Sequence, residues 1–210
     1  LSGNFMMDNS VGVHRILTDH NINNSRNRTS APLILGITTR ASRQNQSFQF
    51  SAGRLGEQVG NLGRSFEKTE GSVAHAQYSS RFLSLWESTL ELSSTFDSLI
   101  ERENGTAIQG SLRYGNRDTD FQFIVNSVVD EDGEYSLSAG GKNQNGRSSH
   151  DYGLYYYGED LMWLSSALPE NRSGLYYNIR YDGGWFKTNG NIEVSRTLAE
   201  RDGLTGNVDR

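Results

Sequence analysis

The stretch that decides the fold is residues 175–194, LYYNIRYDGGWFKTNGNIEV. On each side of Asp182-Gly183-Gly184, apolar or aromatic residues recur at every second position. A period of two is that of a β-strand, whose successive side chains point to opposite faces of a sheet. Asp-Gly between two such segments is a strong hairpin signal, because glycine adopts the positive φ of a tight turn. The stretch therefore predicts a closely turned hairpin, with Tyr181 and Phe186 on one face beside the turn.

The same alternation recurs upstream of this hairpin. Residues 105–157 hold four alternating segments, separated by the polar, turn-like stretches 116–119, 130–133 and 143–146. Residues 33–52 alternate as well. Short alternating segments that follow one another through short turns are typical of antiparallel strands. The chain is therefore predicted to be all-β, an antiparallel meander of about ten strands.

Two stretches are less regular. Residues 83–103 alternate as a strand would, but three leucines fall seven apart, at Leu85, Leu92 and Leu99. The serines and threonines there favour a strand, since their side chains compete for the backbone hydrogen bonds of a helix. Residues 53–71 carry several glycines and are predicted to form a long loop with one helical turn.

These patterns divide the chain into three parts. Residues 1–31 are predicted to be an irregular, Asn-rich arm, and residues 32–198 the antiparallel β domain. Residues 199–210 read as a loop or a truncated end. Because the chain opens on Leu1, we expect that it has been processed or is a piece of a longer protein.

The composition restricts the class of protein. Only 34% of the residues are apolar and the mean hydropathy is -0.64, yet aromatics reach 10% and glycines number 23 against 2 prolines. Such a chain suits a β-barrel with a wet interior, where only every second residue faces an apolar medium. The net charge of -5 is spread along the chain without a basic stripe, which argues against nucleic acid as a partner. With no cysteine, disulfides, thiolate chemistry and Cys-based zinc sites are excluded.

Three features favour a membrane barrel over a soluble sheet. The polar positions of the strands carry charges and amides, and several strands approach the length of about ten residues that a tilted strand needs to cross a bilayer. Aromatic residues also flank the turns, as in the girdles of membrane barrels. The flanking aromatics are Tyr114, Phe121, Tyr135, Tyr152, Tyr181 and Phe186.

On this hairpin rhythm and aromatic placement, residues 105–198, and less closely residues 33–100, resemble outer-membrane β-barrels, including porins and the barrel of fimbrial ushers. The resemblance implies a transmembrane β-barrel, or a segment of a larger one, in the outer membrane of a Gram-negative bacterium. It further implies a pore or export conduit for solute, polysaccharide or polypeptide. The implied partners are outer-membrane lipid and other segments or subunits that complete the barrel. An usher barrel needs many more strands than this chain supplies.

A first alternative is a soluble or surface-exposed β module, extracellular or at the cell surface, that binds glycan or protein through tyrosine and tryptophan. Aromatic rings on the polar face can stack on sugar rings, although ordinary cross-strand pairing explains them better. The candidate stacking residues are Tyr155, Tyr157, Trp163, Tyr176 and Trp185.

A second alternative is an outer-membrane hydrolase, since residues 148–151 gather serine, histidine and aspartate. Adjacent strand residues point to opposite faces, so His150 and Asp151 should not form a catalytic relay with each other. His14 and His20 lie six apart, which matches no common metal spacing, and the acidic turn 130–134 does not match a calcium-binding loop. We therefore expect no enzyme, no cofactor, and no catalytic or metal-binding residues.

The alternation also predicts one shared apolar face. High exposure of that face to solvent would indicate a lipid-facing wall, and burial would indicate the core of a soluble fold. Its predicted members are Ile108, Leu112, Phe123, Val125, Leu137, Leu175, Ile179, Ile192 and Val194.

Overall fold

The computed structural model describes residues 5–16, 33–59, 65–97, 104–115, 119–158, 161–163, 166–167 and 171–197. The regular elements of this part are all strands. They are β1 (Met6–Arg15), β2 (Leu33–Arg43), β3 (Gln46–Val59), β4 (Ser65–Phe82), β5 (Trp86–Phe96), β6 (Gly105–Tyr114), β7 (Phe121–Asp130), β8 (Tyr135–Asn145), β9 (Ser148–Tyr157), β10 (Met162–Trp163), β11 (Ser166–Ala167), β12 (Arg172–Asp182) and β13 (Lys187–Thr197).

Eleven of these strands form one sheet in the order β1-β2-β3-β4-β5-β6-β7-β8-β9-β12-β13. Every pair of neighbours is antiparallel, and β10 pairs with β11 in a separate ribbon. The predicted all-β antiparallel meander is therefore confirmed. Among the described residues the sheet is open, with β1 and β13 as its edge strands. None of these residues forms a helix long and apolar enough to span a membrane.

The connections give the sheet two different ends. At one, which we call the turn end, β2 joins β3 through residues 44–45 and β8 joins β9 through residues 146–147. At the other, which we call the loop end, the connections include residues 16–32 and residues 158–171. The two longest connections therefore share one end.

The irregular arm predicted for residues 1–31 is wrong for Met6–Arg15, which form β1 and pair along their whole length with β2. Met7, Val11 and Val13 share one parity, a signal of strand structure that the asparagines farther along the arm obscure. The rest of that arm, from residue 17, and residues 199–210 lie outside the described residues.

The long loop predicted for residues 53–71 is also wrong. β3 continues to Val59 and β4 begins at Ser65, and the two strands stay paired across a register shift between Arg54 and Gly56. A β-bulge of this kind accommodates glycine-rich sequence without ending the strand. Residues 83–103 do contain the predicted strand, β5.

The hairpin of residues 175–194 forms with a different register from the one expected. Asp182 pairs with Lys187 and Tyr181 with Thr188, so the connection spans residues 183–186 instead of two glycines. The backbone N–H of Gly183 donates to the Phe186 oxygen across this longer turn, and the exposed Lys187 ammonium lies 2.9 Å from an Asp182 carboxylate oxygen. Because the register moves by two positions, each side chain keeps its predicted face.

Candidate functional site

One face of the sheet, which we call the outer face, is apolar and exposed. Of the residues predicted to share this face, only Phe123 and Val125 are half-buried, and the others are exposed. Ile192, for example, is 65% exposed. The predicted shared face is therefore confirmed, and it is not the core of the molecule.

The exposed apolar side chains continue from strand to strand. One row across the sheet runs through paired residues from β3 to β7, namely Phe50, Ala76, Leu92, Ile108 and Val129. Exposed apolar patches on soluble monomers seldom exceed a few hundred Å² and usually mark a contact surface. A belt that crosses this many strands therefore marks the outer face as a contact surface.

Aromatic rings border this belt at the turn end. Trp86 of β5 lies between Phe82 and Tyr114, with ring centroids 6.4 and 5.1 Å away, and Tyr114 lies 6.0 Å from Phe121. The last hairpin adds Phe186, whose ring lies 5.5 Å from that of Tyr181. These rings border the outer face from β4 to β7 and again at the β12–β13 turn.

A second group of rings lies towards the loop end. Tyr135 of β8 stacks on Tyr156 of β9 with centroids 4.8 Å apart, and Phe96 is exposed at the end of β5. Trp86 and Phe96 are ten positions apart on one strand, which is about 33 Å at about 3.3 Å per residue. At the strand tilt of about 40° found in membrane barrels, that distance spans about 25 Å along the membrane normal, the height of their apolar band.

The opposite face, which we call the inner face, is polar and largely buried. Ser51, His75 and Glu91 are each at most 1% exposed. Their neighbours are joined by hydrogen bonds from strand to strand. These include Thr38 to Ser51 at 3.1 Å, Arg40 to Gln49 at 2.9 Å, Gln77 to Glu91 at 3.1 Å and Gln109 to Asn126 at 3.0 Å. One face of a single sheet is buried only where the sheet curves around that face. The inner face is therefore the concave side of the sheet.

His75 and Glu91 form a buried pair in this network. Nε2 of His75 on β4 lies 3.5 Å from Oε2 of Glu91 on β5, and a Glu91 oxygen also accepts a hydrogen bond from the Gln77 amide. Two ionisable groups are rarely buried unless they are paired. The pair links β4 and β5 on the inner face of the sheet.

Apolar side chains close the inner space at the loop end. They form one buried cluster, made of Ile16, Ile34, Leu55, Val73, Ala107, Val128 and Leu161. Ile16 and Leu161 come from the two longest connections, and the other members lie near the loop ends of their strands. The ribbon strand β10, which follows Leu161, lies against β6 and β7 although its connection joins β9 to β12. The connection therefore crosses the inner space.

The inner space stays open towards the turn end. A cavity of about 390 Å³ lies there, lined by residues of β6, β7, β8, β9, β12 and β13. Its lining is about half polar and half apolar, with Lys142, Asp151 and Arg180 among its charged residues and Ile124 among its apolar ones. Strands as far apart in the sheet as β6 and β13 contribute to it, which again requires a strongly curved sheet.

Three of the five candidate stacking residues come together on the inner face. Tyr155, Tyr157 and Tyr176 form a buried cluster, in which the rings of Tyr155 and Tyr157 stack with centroids 5.3 Å apart. The Tyr155 hydroxyl donates a hydrogen bond of 2.5 Å to Glu193. These rings face each other, so ligand stacking on them stays a prediction that would require the cluster to open.

The other two candidates lie elsewhere. Trp185 is 89% exposed in the β12–β13 turn, with its ring centroid 4.7 Å from that of Phe186, and belongs to the rim of the turn end. The backbone of Trp163 lies in β10, and its side chain is outside the described part of the structure. The five candidates therefore do not form one site.

His150 and Asp151 lie on opposite faces, as the parity of β9 predicts. His150 Nδ1 lies 2.7 Å from the Tyr177 hydroxyl on the outer face, whereas Asp151 accepts a hydrogen bond of 3.4 Å from Asn178 on the inner face. In the acidic turn, an Asp130 oxygen accepts hydrogen bonds from the backbone N–H groups of Asp132 and Glu134. Across the described ranges, no three His, Asp or Glu side chains are grouped as metal ligands.

Comparison of the chain with models of protein families, with curated proteins and with solved structures finds no match.

Proposed function

We propose that this chain is a β-barrel of the bacterial outer membrane, or a segment of a larger one, and that its interior is a path for solute, polysaccharide or polypeptide. The observation that carries the proposal is the inverted distribution of polarity: leucine, isoleucine and phenylalanine are exposed on the outer face, while serine, glutamine and glutamate are buried on the inner face. A soluble fold would place these residues the other way round, because burial of apolar surface drives its folding.

The backbone supports a membrane setting on separate grounds. Within the bilayer every backbone N–H and C=O must be bonded inside the protein, which only helices and sheets without free edges achieve. The nine inner strands of the sheet are paired on both sides, from β2 through β12. The aromatic rims at the two ends supply the interfacial anchors that such barrels use.

The ends of the sheet suggest an orientation. Membrane barrels have short periplasmic turns and longer extracellular loops. On that rule the turn end, with residues 44–45 and 146–147, faces the periplasm, and the loop end faces the exterior.

The two edge strands, β1 and β13, imply further partners. An unpaired edge in lipid would leave a row of backbone groups without hydrogen bonds. Bacterial single-chain barrels also have an even number of strands, whereas the described residues form a sheet of eleven. We therefore propose that strands from elsewhere in a longer chain, or from another subunit, pair with β1 and β13.

The apolar cluster at the loop end describes a closed state of the proposed path. Leu161 and Ile16 would have to move before anything could pass from the turn-end cavity to the exterior. Both residues lie in connections and not in the sheet, so they can move without breaking strand pairing.

A refolding experiment tests the membrane assignment. The purified chain is diluted from urea into buffer, detergent micelles or lipid vesicles, and its β-structure is measured by circular dichroism and its membrane insertion by vesicle flotation after an alkaline wash. We expect folding and flotation only with detergent or lipid. A folded, monomeric chain in buffer alone would refute the proposal.

A pair of matched variants separates the two faces. Lysine at Leu90, Leu92 and Ile108 of the outer face should abolish flotation, because each charge near the bilayer centre costs about 2–4 kcal/mol. Lysine at Gln122 and Asn178, which line the inner cavity, should leave flotation intact. Equal effects of the two variants would contradict the assignment of the faces.

A further inference from the structure

The cavity at the turn end has the size and position of a ligand site. Its volume of about 390 Å³ lies within the range of about 300–1,000 Å³ typical of small-molecule pockets. It is bounded by paired strands, which hold their side chains more precisely than loops do. It is closed towards the loop end by the apolar and tyrosine clusters and can be entered from the turn end.

Four amide side chains are among the polar lining residues. Gln122 lies on β7, Asn178 on β12, and Asn189 and Asn191 on β13. Each amide offers two N–H donors and a carbonyl acceptor. Because amides both donate and accept hydrogen bonds, they can bind adjacent hydroxyl groups of a ligand, which also do both. The lining therefore suits a ligand with several hydroxyl groups.

The charge of the cavity is positive although the whole chain carries -5. Arg113 is neutralised by Glu87, whose oxygen lies 2.6 Å from a guanidinium nitrogen. Lys142 and Arg180 are exposed to the cavity, and no described residue forms an ion pair with either. The carboxylate of Asp151 stands against these two cations and accepts a hydrogen bond from Asn178.

One aromatic ring forms part of the wall. Tyr176 on β12 lies directly over Gly140 and Gly153, where a Cβ atom would come within 2.8 and 2.7 Å of the tyrosine hydroxyl. The two glycines let the ring lie flat against neighbouring strands. The ring is buried in the tyrosine cluster, so it bounds the cavity and offers no open face for stacking.

We propose that the turn-end cavity binds an acidic sugar, with its carboxylate at Lys142 and Arg180 and its hydroxyls at the amides of Gln122, Asn178 and Asn189. The assignment rests on the proposed function in one respect, because it takes the inner face as the wall of the barrel interior. In the proposed orientation the ligand enters from the periplasmic side.

The test is calorimetric titration of the folded full chain in detergent with two disaccharides that differ in their carboxylates, digalacturonate and galactobiose. We expect digalacturonate to bind at least about tenfold more tightly, because hydrogen bonds to charged groups are roughly twice as strong as neutral ones. The double variant Lys142→Gln with Arg180→Gln should remove that preference. Arg196→Gln, a charge removal on the outer face at the loop end, should leave it unchanged.

Equal binding of the two sugars, absence of binding by both, or an unaltered preference in the Lys142→Gln, Arg180→Gln double variant would each overturn the assignment. Circular dichroism of the variants confirms that each has folded. The outcome is separable from the membrane proposal, because vesicle flotation reports on the outer face and does not depend on the cavity.

Discussion

Replacing Leu90 with arginine tests the lipid-facing role of the outer face. Leu90 is 56% exposed in the middle of β5, four positions from Trp86 and six from Phe96. At about 3.3 Å per residue and a tilt of about 40°, it lies about 10 Å from one aromatic rim and about 15 Å from the other. Leu90 is therefore placed near the centre of the proposed apolar band.

At that depth an arginine costs about 2–4 kcal/mol of unfolding free energy, because the charge must be removed from water. This cost corresponds to a change of about 30- to 1,000-fold in the folding equilibrium constant. If the outer face were in water, the same change at a largely exposed leucine would stay within about 0.5 kcal/mol. A lipid-facing and a water-facing Leu90 therefore predict clearly different losses of unfolding free energy.

The assay is reversible unfolding by urea in lipid vesicles, monitored by tryptophan fluorescence. The free energy of unfolding is fitted against urea concentration with one common slope for all variants. Leu83→Arg is the matched control, since Leu83 is 80% exposed in the β4–β5 turn, outside the aromatic rim. The control should change stability by less than about 1 kcal/mol, as charged residues do near the interface. Equal losses for the two variants, or no loss for either, would refute the reasoning.

Two further predictions concern the inner face. Gly153→Ala places a Cβ 2.6 Å from the backbone oxygen of Ala139 and should destabilise the fold by about 1–3 kcal/mol in urea unfolding. The control is Gly110→Ala, where a Cβ meets open space, and it should be neutral or slightly stabilising. Similar effects of the two changes would contradict the described packing. Glu91→Ala removes the carboxylate beside the buried His75 and the acceptor of the Gln77 amide, and should cost about 1–3 kcal/mol. Replacing both residues by leucine should recover much of that loss, and a double variant as unstable as the single one would argue against coupling of the pair.

The faces of the strands could be predicted from the sequence because side chains alternate strictly along a strand. Ile192 and Asn191 were assigned to opposite sides by parity alone, and even the unexpected register of the β12–β13 hairpin preserved that assignment. On β4, His75 is opposite in parity to Ala74 and Ala76, and the structure accordingly places it on the inner face, where it is buried. The periodicity of the sequence therefore predicts which face a side chain occupies, but it does not predict the length of the turn.

The features that the sequence did not reveal depend on contacts between distant segments. The four-residue turn after Asp182 follows from the pairing of Asp182 with Lys187, whereas the two glycines alone indicate a shorter turn. Leu161 and Ile16 lie in connections without periodicity, so nothing local marks them as the closure of the inner space. The cavity likewise combines residues from six strands and exists only once the sheet has curved.

The most direct test of the account is a spin-label scan along β13, which the absence of cysteine from the chain makes simple. Single cysteines from Asn189 to Val194 are labelled in the vesicle-bound protein, and their collisions with oxygen, which dissolves in lipid, and with a nickel chelate, which stays in water, are measured. We predict that oxygen collisions peak at Ile192 and Val194 and nickel collisions at Asn189 and Asn191, with a period of two. Nickel accessibility at Ile192 and Val194 as high as at Asn189 and Asn191 would contradict the central claim that the outer face lies in lipid.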